Sequence, residues 1–214
     1  MLTPVNAGGR FISILSDGRF HETVNKSTEG AMLREYELKD GTKGEKWELA
    51  YAKLEGKIKN IQFRDGDYGE QVLITFTDGE KDITVAQGVS TNFGEDILKK
   101  LPSLKLEKEM TVAPYAFTDD TNKERRGVTF YQDGEKVPSF FWDGEKSCNG
   151  YPTPDGDIKE YKSDDWKLFY LQARKFLTGY IKTNLLPQFE GVEEKKIEYP
   201  ENPADEIDPA DVAF

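Results

Sequence analysis

The sequence has almost none of the residues that build disulfide frameworks and zinc sites, because its 214 residues include one cysteine and one histidine. Cys148 has no second cysteine with which to form an internal disulfide. Together with His21 it supplies too few ligands for a structural zinc ion, which takes four. We therefore expect an inert thiol at Cys148, a surface position for His21, and no bound metal or cofactor.

Long apolar runs are also absent, since no segment approaches the roughly 20 apolar residues of a membrane-spanning helix. The first ten residues, MLTPVNAGGR, lack the charged region and the apolar run of a signal peptide. The low cysteine content fits a reducing compartment. We expect a cytoplasmic protein that does not enter the membrane.

Sets of residues that support catalysis are missing as well. With one histidine in the chain, no Ser/His/Asp or Cys/His set with two usable partners is found. Ala7-Gly8-Gly9 lacks both the lysine and the preceding strand of a phosphate-binding loop. Carboxylates are plentiful, so a metal-dependent nuclease built from Asp and Glu remains an alternative. We expect a protein that is not an enzyme.

Negative charge dominates, with a net charge of −11, but it is unevenly distributed. Residues 190–214 hold nine acids and two lysines, a net charge of −7, which leaves −4 for residues 1–189. The body of the chain is therefore close to balanced. It can carry a local basic patch, because binding of an anion depends on where the positive charge lies rather than on the sum.

Turn residues indicate a mainly β body. Asp-Gly, which favours tight hairpin turns, occurs seven times, and alternating apolar and polar residues lie between the pairs. The pairs begin at Asp17, Asp40, Asp65, Asp78, Asp133, Asp143 and Asp155. The predicted strands are Phe11–Leu15, Ala31–Leu38, Trp47–Arg64 with a bulge near Asn60, Gln71–Thr77, Asp82–Gln87, Glu109–Phe117, Gly127–Gln132 and Val137–Trp142.

Two helices are predicted from capping residues and periodicity. The first has Asn92 as its N-cap and ends at Pro102, and the second begins at Ser163 and runs over 163–186 to Pro187. The second carries a wide aromatic and apolar stripe. That stripe packs against the strands or, as the alternative, forms a dimer interface.

The order of the elements favours the OB-fold. A long strand, a meander of two, a helix and two further strands is the order of this five-stranded Greek-key barrel. An immunoglobulin-like sandwich fits less well, because it has about seven strands and no intervening helix. We predict an OB-like domain over 1–187, with extra N-terminal strands, a barrel at about 47–142 and a C-terminal helix.

Basic and aromatic residues occupy the outward strand positions and the two loops with which OB-folds bind oligonucleotides and oligosaccharides. Lysines and arginines contact phosphates, and exposed rings stack on bases. Each has a plainer alternative, since strand rings usually pack in the core and outward lysines often serve solubility. The candidate residues are Lys57, Lys59, Arg64, Tyr68, Tyr115, Phe117, Lys123, Arg125, Arg126 and Tyr131.

The segment 201–214, ENPADEIDPADVAF, holds five carboxylates, no basic residue and a terminal phenylalanine. A like-charged stretch interrupted by proline buries too little apolar surface to offset its ordering entropy, so we predict a flexible acidic tail over 188–214. Many acidic tails serve solubility alone. The terminal Phe214 beside a free carboxylate instead favours binding to a pocket lined with arginine or lysine.

Together, these features resemble the single-stranded DNA-binding proteins of bacteria and their phages, and most of all the phage replication type, in which extra elements surround one OB barrel. The resemblance rests on the block Trp47–Trp142 and on the tail ending in Asp211-Val212-Ala213-Phe214. It implies sequence-nonspecific single-stranded DNA binding in replication, recombination and repair, in the host cytoplasm if the chain is phage-encoded. In that family the tail recruits replication and repair enzymes and competes with DNA. The residues carried over are Asp205, Glu206, Asp208, Asp211 and Phe214.

The tail also departs from the bacterial pattern. The bacterial tail usually ends in an Asp-rich run followed by Ile-Pro-Phe, whereas here the acids are more dilute and Val212-Ala213 precede the phenylalanine. The tail's partner is therefore expected to be a phage enzyme. The alternative function is a non-catalytic, β-rich structural or carbohydrate-binding module of a phage particle.

Overall fold

A computed structural model describes residues 10–37, 41–66 and 69–189. Of the predicted tail, residues 190–214 lie outside these ranges, as does Tyr68, whereas Gln188 and Phe189 end a 3-10 turn. Among the described residues, no helix is both long and apolar enough to cross a membrane. The strands are Arg10–Ile14 (β1), Phe20–Thr23 (β2), Met32–Glu37 (β3), Lys43–Tyr51 (β4), Leu54–Gly66 (β5), Gly69–Thr77 (β6), Asp82–Gly88 (β7), Met110–Thr118 (β8), Glu124–Gln132 (β9) and Glu135–Lys136 (β10). The α-helices are Asn92–Lys100 (α1) and Ser163–Asn184 (α2), and 3-10 turns cover Leu101–Ser103, Ile158–Glu160 and Leu186–Phe189.

The ten strands form one mixed sheet in the order β10-β9-β8-β5-β6-β7-β1-β2-β4-β3. β1 lies parallel to β7, and every other described pair is antiparallel. The prediction of a mainly β chain with two helices is therefore confirmed. β7 pairs on its second edge with β1, so the N-terminal strands continue the sheet rather than forming a separate layer.

β5 joins the two halves of the sheet. Its first residues, Leu54 to Gly56, pair with β8, and Lys57 to Gly66 pair with β6. Gly56 lies where the strand changes partner, with φ +154 and a Cβ position only 2.8 Å from the carbonyl oxygen of Thr77, so a side chain would not fit there. The register shifts between Ile58 and Asn60, which confirms the predicted bulge and increases the local twist.

The predicted single strand Trp47–Arg64 is wrong. The chain leaves the sheet at Ala52 and Lys53, so that β4 pairs with β2 and β3 while β5 begins the other half. No glycine or proline marks this break, and the alternation of apolar and polar residues is interrupted by the apolar run Leu49-Ala50-Tyr51-Ala52, which does not by itself show where a strand ends. Only the pairing with distant strands decides where the first strand ends.

Three further predictions need correction. Val137–Trp142 is not a strand, because the Phe140 amide donates to the Lys99 carbonyl of α1 and Phe141 is buried. Thr91 rather than Asn92 caps α1, since its hydroxyl accepts from the Gly94 amide at 3.0 Å. β9 begins at Glu124 rather than at the predicted Gly127. The predicted start of α2 at Ser163 is confirmed. In addition, the strand β2 had no counterpart in the prediction.

α1 covers the edge of β9 that faces away from β8. Asp96 Oδ2 accepts from the Val128 amide at 2.7 Å, and Lys100 Nζ donates to the Val128 carbonyl at 2.5 Å. These two side chains, themselves 2.7 Å apart, take the place of a neighbouring strand and satisfy backbone groups that an edge would leave open. The second half of α2 packs on the same core through Ala173, Leu177 and Ile181.

Candidate nucleic-acid interface

One face of the β8–β9 hairpin is exposed to solvent at its two ends, at Tyr131 and Phe117, and is buried between them at Gly127 and Thr129. Alternate strand positions point the same way, so the cross-strand pairs Thr111–Tyr131, Ala113–Thr129, Tyr115–Gly127 and Phe117–Arg125 form four successive rows on one side. We call these four rows the hairpin face. Neighbouring rows lie about 7 Å apart along the strands. The intervening residues point to the core, where Met110, Val112, Val128 and Phe130 are buried.

Aromatic rings lie along the hairpin face. Phe117 is 56% exposed and Tyr131 is 39% exposed, and the rings of Tyr115 and Phe117 lie 5.8 Å apart at an interplanar angle of 39°. Gly127 makes room for the half-buried Tyr115, because a Cβ there would lie 2.5 Å from the Tyr115 hydroxyl. Burial and the charge of Asp96 raise the pKa of Tyr115, so its hydroxyl stays protonated at neutral pH.

Asp119 organises the loop that joins β8 to β9. Its Oδ1 accepts from the Thr121 hydroxyl at 2.6 Å and from the Lys123 amide at 3.0 Å, and its Oδ2 accepts from Arg125 Nε at 2.7 Å. These hydrogen bonds hold the pKa of Asp119 well below its usual range. Arg125 is thereby fixed beside Phe117. Sequence reasoning missed Asp119, although Thr-Asp-Asp-Thr-Asn is typical of a side-chain-capped turn.

The other predicted cations lie elsewhere. Arg126 pairs with Ala116 on the opposite side of the hairpin, and its side chain is 11% exposed beside Glu124. Lys59 Nζ lies 2.6 Å from Asp82 of β7, and Arg64 Nε donates to Gln71 of the neighbouring β6 at 2.7 Å, so both cations of β5 are bonded to side chains of other strands. The exposed Lys57 lies opposite Thr77 of β6. The structure thus gathers Tyr115, Phe117, Arg125 and Tyr131 on the hairpin face, with Lys123 in its loop.

Cations that sequence reasoning missed surround the Tyr131 end of the hairpin face. Lys136 of β10 lies directly opposite Tyr131. Lys108 Nζ lies 2.6 Å from Asp133 in the β9–β10 turn. The Gln132 side chain bonds the backbone of Lys105 in both directions, at 3.0 and 2.8 Å. The turn prediction at Asp133 was the available signal, since a tight hairpin brings Lys136 back beside β9.

A second charged group lies on the N-terminal strands, and we call its four residues the ion-pair cluster: Asp17, His21, Arg34 and Glu48. Glu48 Oε2 lies 3.1 Å from His21 Nδ1 and 2.9 Å from Arg34 Nε, and His21 Nε2 lies 3.1 Å from Asp17. The His21 side chain is 11% exposed, so the expected surface position is wrong. Pairing across β2 and β4 buries it against Glu48.

Opposing influences set the protonation of the ion-pair cluster. Burial disfavours both charged forms, but the mutual hydrogen bonds outweigh it. Those bonds raise the pKa of His21 above its usual value and lower the pKa of Glu48 to about 2. A similar group lies nearby, where Arg10 Nε donates to Glu22 at 2.7 Å and the Tyr51 hydroxyl donates to Glu22 at 2.9 Å. Within each group the charged side chains pair with one another, and these contacts hold β1, β2 and β4 together.

Metal-ligating side chains do not converge in the part of the chain that the structure covers, since no group of three or more His, Cys, Asp or Glu residues there could hold a metal ion. Cys148 is half-buried, and its thiol donates to the Phe140 carbonyl at 3.4 Å. Comparison with protein-family models, with curated proteins and with solved structures gave no match to this chain.

Proposed function

We propose that this protein binds single-stranded DNA without sequence preference, as a non-enzymatic component of DNA replication, recombination and repair. The observation that carries the proposal is the placement of Tyr115, Phe117 and Tyr131 on one side of a single hairpin beside Arg125. A phenylalanine exposed to 56% on a strand forgoes the stabilisation that burial would bring. When the Phe117 ring stacks on a ring of a bound ligand, that side chain is buried and the stabilisation is recovered.

The chemistry of the hairpin face suits a polynucleotide strand. Each base stacked on an aromatic side chain contributes roughly 1–3 kcal/mol, and the stacking tolerates every base because every base has a π face. Lys123 and Arg125 at one end and Lys136 at the other are placed to contact phosphates on both sides of the rings. The row Ala113–Thr129, which carries no ring, separates Tyr131 from Tyr115.

We further propose that β5 to β9 with α1 have the arrangement of an OB-fold whose barrel is open between β7 and β9. Three features support this: β5 is long and bulged, it pairs with both β6 and β8, and α1 lies between the third and fourth strands of the set. The two strand edges that would pair to close a barrel, those of β7 and β9, have other partners. β7 pairs with β1, and α1 bonds the outer edge of β9.

The acidic tail is proposed to recruit replication or repair proteins through Asp205, Glu206, Asp208, Asp211 and Phe214, and to compete with DNA for the cations of the hairpin face. A tethered polyanion acts at high effective concentration, so even a weak contact masks a site. Removing residues 204–214 should therefore tighten single-strand binding. Unchanged DNA affinity after truncation would refute the masking role while leaving the hairpin-face proposal standing.

The deciding experiment compares binding of fluorescent oligo-dT by the full chain and by two variants of Phe117. Phe117→Leu keeps an apolar side chain but removes the ring, and should weaken binding about tenfold or more if a base stacks there. Phe117→Tyr keeps the ring and should bind nearly as the parent does. Trp142→Leu is the matched control, because Trp142 is also half exposed but lies outside the hairpin.

Four outcomes would contradict the proposal. Equal affinity for oligo-dT and for a matching duplex would indicate simple charge attraction. Loss of binding in Trp142→Leu with none in Phe117→Leu would place the site elsewhere. Degradation of the oligonucleotide with Mg²⁺ would show a nuclease, and absence of any binding would favour the structural or carbohydrate-binding alternative.

A further inference from the structure

The N-terminal half of α2 exposes leucines on the side that points away from the body of the protein. Leu168 is 56% exposed and Leu171 is 46% exposed. The helical repeat of 3.6 residues puts both on the side opposite Ala173 and Leu177, which are buried. The solvent side of a surface helix normally carries polar residues. Two adjacent exposed leucines there are typical of a contact surface.

The other side of this half-helix carries aromatic rings that are partly buried. The rings of Trp166, Phe169 and Tyr170, together with Tyr161, form a local cluster with centroid distances of 5.0 to 5.9 Å. The second half of α2 is covered by the body, where Thr178 is buried and Lys182 Nζ lies 2.6 Å from Glu70. The open surface therefore lies on the outward side of the first half of the helix.

Four residues define this surface, which we call the leucine seam: Asp164, Leu168, Leu171 and Lys175. Their intervals of four, three and four residues are those of the contact positions in paired helices. Both ends of the seam are solvent-exposed, and the Asp164 side chain is 93% exposed, with Oδ1 at 3.2 Å from Lys167 Nζ of the same helix. An acid stands at one end and a base at the other, with the leucines between them.

The order of charges in the seam is self-complementary for a two-fold, antiparallel pairing. When two copies of α2 are placed antiparallel about the midpoint between Leu168 and Leu171, Leu168 meets the partner's Leu171 and Asp164 meets the partner's Lys175. The symmetry repeats both contacts, as an isologous interface requires. A parallel pairing would instead bring acid to acid and base to base. We infer that the leucine seam is a self-association surface, and that a second copy of this chain covers it as an antiparallel helix pair.

The interface is small. The seam spans about 17 Å of helix at 1.5 Å per residue. A contact of that length buries less surface than the ~1,200 Å² in total that stable dimers bury. Self-association is therefore expected to be weak and reversible, with dimer appearing as the protein concentration rises from the micromolar to the millimolar range. The inference does not depend on DNA binding, because the assay contains no nucleic acid.

Charge reversal tests the geometry by sedimentation equilibrium of the full chain. Asp164→Lys and Lys175→Asp should each raise the dimer dissociation constant about five- to tenfold, since each replaces two attractions by two repulsions. The double variant D164K/K175D should restore the parent value, because the pairs are re-formed with opposite sign. An equimolar mixture of the two single variants should also dimerise.

Substitution of a seam leucine should weaken dimerisation more than substitution of a seam charge. Leu171→Glu should abolish dimer across the concentration range, because it places a carboxylate against the partner's Leu168. Ile158→Glu is the matched control, since Ile158 is 54% exposed but is not on the seam. Circular dichroism and thermal melts check that each variant stays folded. A parent protein that is monomeric at every concentration, a dimer unaffected by Leu171→Glu, or a double variant no better than its singles would each overturn the inference.

Discussion

The ion-pair cluster and the hairpin face contain similar kinds of residues but use them in opposite ways. In the cluster, Arg34 and His21 are held within 3.1 Å of Glu48, and the Glu48 side chain is 6% exposed. On the hairpin face, Arg125 is 55% exposed and Phe117 is 56% exposed. Charges that are paired and buried hold strands in register. Charges and rings left in solvent are available to a ligand, so the position of a basic or aromatic residue decides its role.

Gly18 follows Asp17 of the ion-pair cluster and lies against the backbone of β8. Substitution of Gly18 should therefore cause the largest loss of stability. Its φ is +71, and a Cβ there would overlap the backbone nitrogen of Ala116 in β8. Gly18→Val should therefore cost about 4 kcal/mol of the free energy of unfolding, measured by urea denaturation. Gly156→Val is the control, since Gly156 has φ +73 but no atom of the structure lies within 4 Å of its Cβ position. It should cost about half as much, and equal losses would argue against the contact with β8.

Glu48→Gln tests whether the ion-pair cluster is structural. Removing this charge leaves His21 and Arg34 partly buried without their anion, so we expect a loss of about 3 kcal/mol in the free energy of unfolding. Oligo-dT affinity should be unchanged, because the hydrogen bonds of Glu48 go to His21 and Arg34, which are not on the hairpin face. Glu35→Gln, at an exposed position on β3, should change stability by no more than about 0.5 kcal/mol. If Glu48→Gln were as stable as the parent, the ion-pair cluster would not be structural, and it would no longer differ in role from the hairpin face.

The pH dependence of stability should report the same cluster. The folded-state pKa of His21 is raised, so its stabilisation is complete below the unfolded pKa of about 6.5 and is lost as the pH rises through the folded value. The folded-state pKa of Glu48 is lowered to about 2 from 4.5, so its contribution is present above about pH 4.5 and is lost as the pH falls toward 2. Urea midpoints should be highest between these limits. His21→Gln should remove the decline on the alkaline side.

Arg125→Gln should produce the smallest change and should affect binding alone. Loss of one phosphate contact reduces the slope of log affinity against log salt by about 0.7 for single-stranded DNA. Arg126→Gln is the matched neighbour, because Arg126 lies on the opposite side of the hairpin. Its slope should equal that of the parent. A larger change in Arg126→Gln than in Arg125→Gln would reverse the assignment of the two sides.

Local patterns were enough to predict many strands and turns. Asp17-Gly18, Asp78-Gly79 and Asp133-Gly134 do join neighbouring strands, and at Asp133-Gly134 both residues have positive φ. Alternation along β8 correctly predicted Met110 and Val112 inside and Phe117 outside. Asp155-Gly156 instead lies in an irregular segment, because the same dipeptide also suits loops that no strand follows.

The site was predicted less completely, since alternation shows which side of a strand a residue faces but not which strand lies beside it. Phe117 and Tyr131 were predicted to be exposed because both occupy outward positions, and they are. Lys59 and Arg64 also point outward from β5, yet Asp82 and Gln71 of other strands bond them. The sequence of residues 57–64 does not show that Asp82 and Gln71 will bond Lys59 and Arg64. These partners lie on β6 and β7, the next two strands of the meander, and the register of those strands decides which side chains meet.

Sequence alone determined the mainly β class, the bulge in β5, the outward rings of the last two long strands and the apolar stripe of α2, because each follows from alternation, helical period or turn chemistry within a few residues. Tertiary structure decided that the chain breaks at Ala52, that His21 is buried against Glu48, and that Arg125 and Arg126 face opposite ways with different neighbours. Those outcomes depend on groups brought together from distant parts of the chain, and their energies arise only once the strands have paired.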